Sequence, residues 1–190
     1  MNFENFDIDI ETNQNKEIVE KMIVQILTDN YSPDEISSKG EFYDNIDEHF
    51  EKINKGKEII CFEVNQTKDL KWKYNLRFDY FPENKTKYGE YPDIKLSEIF
   101  HNNFGWNCIC SRHDLFKDIN DQNPYLGICL INKKWYLADL VDSILLGSFT
   151  DGENDFDGEQ GIKIGFELVE IGFKFDSRIF EIEKLKKEAS

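Results

Sequence analysis

The chain's 190 residues suit one compact domain spanning 1–190, with a core large enough to stand without disulfides or metals. Its 39% apolar and 14% aromatic content excludes a disordered acidic chain. A formal net charge of −15 disfavours direct contact with nucleic acid or anionic membranes and favours a basic protein partner.

In chain order, Phe3, Phe6, Ile8 and Ile10 among acids predict an edge strand or an extended arm. Ile18, Val19, Met22, Ile23, Ile26 and Leu27 recur at helical spacing and predict a helix over 16–29. Asn13 or Asn15 caps it, and Asn30 and Pro33 mark its end. A second helix is expected from about Lys39 to Lys55. Ser38 and Glu41 form a capping box at its start, and Gly56 is its stop. Phe42, Ile46, Phe50 and Ile53 share one face of it; Glu41, Asp44, Asp47, Glu48 and Glu51 share the other.

Strand character follows. Ile59, Ile60, Cys61, Phe62 and Val64 lead to a turn near 65–67. Then Leu70, Trp72, Tyr74, Leu76, Phe78 and Tyr80 alternate with Lys71, Lys73, Asn75, Arg77 and Asp79. That period of two predicts one buried and one wet face, and an antiparallel hairpin with the preceding strand. Residues 82–93 read as a loop, Leu96, Ile99 and Phe100 as a short helix, 105–110 as a strand and 113–119 as a helical turn. A second hairpin pairs 125–131 with 134–140 around Asn132-Lys133. Ile162, Ile164, Phe166 and Leu168 alternate beyond an acidic loop, with a phase change near Val169–Glu170 and a polar helix or strand over 177–188. Helices early and strands afterwards favour an α+β class: an antiparallel sheet with the two N-terminal helices packed on one face.

The charge is regional. It is −10 over residues 1–50, +1 over 51–100, −1 over 101–150 and −5 over 151–190. Two acidic patches therefore stand out: Glu41, Asp44, Asp47, Glu48 and Glu51 on the second helix, and Asp151, Glu153, Asp155, Asp157 and Glu159 in the loop. A surface that needs only solubility mixes its signs; a one-signed field speeds capture of a basic partner. The loop has oxygen ligands at alternate positions before Gly158, as in half a calcium loop. Its twelfth position is Ile164 where a Glu is required, so no calcium site is assigned.

Cys108, Cys110 and His113, with His101 upstream, are the zinc-type set. A C-x-C on a strand reaches one metal awkwardly, so these are read as core cysteines beside surface histidines, with no metal or cofactor expected. Cys110, His113 and Asp114 have the residue types of a nucleophilic site, but no catalytic signature frames them, and no catalytic residue is assigned.

No apolar run approaches the ~20 residues of a membrane span, and Met1-Asn2-Phe3-Glu4 lacks the basic start and apolar stretch of a signal peptide. The expectation is cytoplasmic, with reduced cysteines. Charge, size and missing motifs together lead to a non-catalytic acidic binding protein that neutralises a basic partner, such as a bacterial immunity protein against a toxin or nuclease effector. The alternatives are a phage-type DNA mimic that inhibits a nucleic-acid-handling protein, and an enzyme without a recognisable motif.

Overall fold

In the computed structural model, residues 4–68, 71–81, 91–111, 126–139 and 163–167 are described. They form β1 (Glu4–Glu11), α1 (Lys16–Tyr31), β2 (Glu35–Ser38), α2 (Lys39–Asp44), α3 (Ile46–Asn54), β3 (Ile59–Gln66), β4 (Tyr74–Phe81), α4 (Pro92–Phe104), β5 (Asn107–Cys110), β6 (Leu126–Ile131), β7 (Lys134–Asp139) and β8 (Lys163–Glu167). The strands make one eight-stranded sheet in the order β2-β3-β4-β1-β5-β6-β7-β8. The β2–β3 pair is parallel and every other pair is antiparallel. The class is α+β. The sequence elements at 113–119, 141–162 and 168–190 lie outside the described residues.

Local chemistry explains most boundaries. The Asn15 side chain accepts from the Ile18 N–H at 3.0 Å and starts α1, while Ser32 closes it in a left-handed turn at φ 44°. Pro92, placed in a loop by the sequence reading, begins α4, because its fixed φ suits a first helical turn. Gly105 ends that helix at φ 71°, a conformation costly for any residue with a Cβ. Asn132 and Lys133 both have positive φ, which matches a two-residue hairpin turn between β6 and β7. The expected 39–55 helix is broken at Asn45, whose φ/ψ of −121°/36° leave the helical region.

The N-terminal segment is not an edge or an arm. β1 lies between β4 and β5 and hydrogen-bonds to both. Only its alternate residues Ile8 and Ile10 are fully buried, which is why its composition reads as an edge strand.

The two N-terminal helical segments do not share a face. Ile60, Phe62 and Val64 of β3 and Tyr74, Leu76, Phe78 and Tyr80 of β4 join α1 and α4 in the main core. Ile59, Cys61 and Phe81, on the opposite parity, pack against Phe42, Ile46, Phe50 and Ile53 of α2 and α3. Successive strand residues point to opposite sides, so these two clusters lie on opposite sides of the sheet. Trp72 precedes β4 and falls out of phase with it. It packs with Ile109 and Cys129 instead of joining Tyr74.

His101, expected at the surface, is buried and holds three elements together. Its Nδ1–H donates to the Trp106 carbonyl at 2.7 Å and its Nε2 accepts from the Lys133 N–H at 3.0 Å. The imidazole thus ties α4 to the strand that follows it and to the β6–β7 turn. Replacing His101 with Ala leaves the Trp106 carbonyl and the Lys133 amide without this partner. The expected loss is about 2–4 kcal/mol in unfolding free energy, read from the urea midpoint.

Candidate functional site: the acidic face of α2 and α3

The candidate face begins where β2 runs directly into α2. Ser38 caps the helix, its Oγ accepting from the Glu41 N–H at 3.1 Å. α2 has six residues, too few to hold a helix alone. Two anchors fix it. Phe42, 1% exposed, stacks on Phe81 at 5.1 Å and on His49 at 4.7 Å. On the same helix, Lys39 and Tyr43 both reach Asp79 of β4: Lys39 Nζ is 2.8 Å from Oδ2, and the Tyr43 hydroxyl donates to the same oxygen at 3.2 Å. Asp79 was expected on the wet face of its strand. It is 3% exposed, because α2 covers it.

Glu41, Asp44, Asp47, Glu48 and Glu51 are all exposed, as their spacing predicts. They are not equivalent. Glu48 pairs with Lys52 and Glu51 with Lys55, each one turn along α3, so two of the five carboxylates are locally compensated. Glu41, Asp44 and Asp47 have no ion pair among the described residues. Among these three stands Tyr43, 52% exposed, its ring edge-on to Phe42 at 5.5 Å and its hydroxyl tied down on Asp79. Burial raises the Tyr43 phenol above its ordinary value, and the Asp79 charge adds to the effect, so the ring stays neutral and donates. Asp151, Glu153, Asp155, Asp157 and Glu159 lie outside the described residues.

Beside α2 the sheet surface remains polar. Arg77 Nε lies 3.6 Å from Asp7, and Asn75 donates to Asp9 at 2.9 Å. Asp7 keeps 47% of its side-chain area open to solvent, yet burial among its neighbours raises its carboxyl above the ordinary value, against the lowering by Arg77 and Lys39.

The cysteines offer no reactive thiol. Cys61, Cys108, Cys110 and Cys129 are free and buried. Burial pushes Cys61 and Cys129 up to about 12 and Cys108 higher still, far from a thiolate. No group of three metal-ligating side chains occurs among the described residues. A cleft between α1, α4 and the sheet, lined by Phe6, Leu27, Tyr31, Phe78, Tyr80 and Leu96 among others, has a free volume of about 20 Å³, close to that of one water. No carboxylate, histidine or cysteine lines it.

No protein-family model, characterised protein or solved structure matches the chain.

Two outcomes follow from this geometry. Asp79→Ala strands the Lys39 charge beneath α2 and is expected to cost about 3–5 kcal/mol in a denaturant titration, whereas the double change Lys39→Met with Asp79→Leu recovers most of it. Asp7 has a raised folded pKa, so its protonated form favours the fold, and that contribution is fully present below the ordinary value of 3.8 and lost as pH rises. Asp7→Asn is therefore expected to raise the melting temperature at neutral pH. The gain should vanish as the buffer is taken down towards that value.

Proposed function

We propose that this chain is a non-catalytic acidic binding protein whose α2–α3 face engages a basic protein, in the manner of an immunity protein that neutralises a toxin or nuclease effector. The observation that carries this reading is Tyr43, an exposed aromatic ring whose hydroxyl is anchored on a buried carboxylate, in a segment whose acids Glu41, Asp44 and Asp47 have no ion pair among the described residues. An anchored ring loses little conformational freedom on binding, and Tyr is enriched among residues that dominate interface energy. Its face attracts a guanidinium or ammonium group. Glu41, Asp44 and Asp47 supply the charges that such a group needs, and their common sign steers a basic surface inward. The Glu51–Lys55 pair is exposed and worth little, so a partner lysine or arginine exchanges for it at small cost, whereas Lys52 is half-buried and also holds Glu35. This part of the reading rests on the α2–α3 face and its Asp79 anchor on β4.

The test is affinity capture at low salt with elution by a salt gradient. Three forms are compared: the native chain, Tyr43→Ala, and a triple variant with Glu41, Asp44 and Asp47 each changed to Lys. One basic protein should be retained by the native chain and lost by the triple variant. Tyr43→Ala should weaken its binding about 30-fold. Equal retention by all three forms would mean that the face is only a solvated surface. Displacement of the captured protein by duplex DNA would instead move the reading to a DNA mimic.

A further inference from the structure

His49 sits in the seam between α3 and the sheet, 3% exposed, and both of its ring nitrogens face acceptors. Nδ1 lies 3.1 Å from the Phe42 carbonyl, and Nε2 lies 2.9 Å from Glu35 Oε1 on β2. A carbonyl and an ionised carboxylate offer only lone pairs. Both contacts are hydrogen bonds only when both nitrogens carry a proton; a ring with one N–H leaves a lone pair pressed against an acceptor. The ring also stacks on Phe42 at 4.7 Å and 11°, an arrangement whose π face attracts a cation.

The charged groups facing the ring come from two elements. Glu35 belongs to β2; Lys52 and Glu48 belong to α3. Lys52 Nζ is 2.9 Å from Glu35 Oε2 and 2.9 Å from Glu48 Oε1, so Glu35 is shared between a lysine and the histidine. Phe42 of α2 contributes a carbonyl, not a charge.

We propose that His49 is a proton-operated clamp between the α2–α3 unit and β2. With two protons, the ring donates to Glu35 and to Phe42 together and closes the seam. With one, it keeps the Phe42 bond, and the Glu35 arm opens. The signs at the two limits are opposite. Glu35 is held below the ordinary value of 4.5, first by the Lys52 bond and also by His49, against desolvation. Its contribution is therefore present above that value and is lost as pH falls through the lowered one. The ring's contribution belongs to its protonated form and is lost as pH rises and the proton leaves. The clamp is closed while the ring carries two protons and opens when it carries one. This holds whether or not the α2–α3 face binds a partner.

Long-range ¹⁵N–¹H NMR spectra of the full chain read the proton count of the ring without any substitution. At the acid end of a pH series both nitrogens of His49 should carry a proton, and at the alkaline end only Nδ1. Glu35→Gln keeps an acceptor but removes the charge, and should leave a smaller share of the ring doubly protonated at a given pH. A ring that carries a single proton at both ends of the series, or a proton count that Glu35→Gln leaves unchanged, would overturn the proposal.

Discussion

Side chains alternate across a strand, and on β3 and β4 that alternation is used on both sides. One set of residues, from Ile60 to Val64 and from Tyr74 to Tyr80, faces α1 and α4. The intervening set, Ile59, Cys61 and Phe81, faces α2 and α3. Slipping either strand by one residue would exchange the two sets and put Glu63 and Arg77 into the main core. The hairpin register therefore decides where both helical layers sit, and with them the acidic face. A six-residue helix such as α2 exists only because the strand residues beneath it, Phe81 and Asp79, are presented at the right height and on the right side.

Two polar clusters brace the α2–α3 unit from below. Lys39, Tyr43 and Asp79 fix its first helix to β4; Glu35, His49 and Lys52 fix its second to β2. The Lys39–Asp79 contact is largely buried and the Glu35–Lys52 contact half-buried; such contacts add little net stability compared with apolar packing, but accept few alternative geometries. Their effect here is to set the orientation of the helices. The apolar residues Phe42, Ile46, Phe50 and Ile53 supply the driving force, and the polar groups determine which way Tyr43 and its neighbouring acids point.

Elements whose period lies within one segment were readable in the sequence: α1, the α2–α3 stripe with its Ser38 cap, the two hairpins, and the exposed positions of Glu41, Asp44, Asp47, Glu48 and Glu51. What was hidden depends on partners distant along the chain. Four residues of β2 carry no periodic signal of their own and become a strand only by lying parallel to β3. The polar residues of β1 suggested an edge, although it is hydrogen-bonded on both sides, because one face of the sheet near Asp7 and Asp9 stays polar. Period two announces that a strand has two faces but not what lies over each. Asp79 was thus read as wet while it sits under a helix 36 residues earlier in the sequence. The compensation of Glu48 and Glu51 was legible in the four-residue spacing to Lys52 and Lys55, and the count of acids overshadowed it.

The position of β1 also dictates an order of assembly. It is made before either neighbour, and its ladders are completed only by residues 74–81 and 107–110. During synthesis this strand must wait, with Ile8 and Ile10 uncovered, while about a hundred further residues leave the ribosome. Contacts so distant in sequence slow the search for the native pairing. The acids interspersed along it, Glu4, Asp7, Asp9 and Glu11, then act as gatekeepers: they keep an unpaired apolar strand from adhering to other nascent chains until its two neighbours arrive.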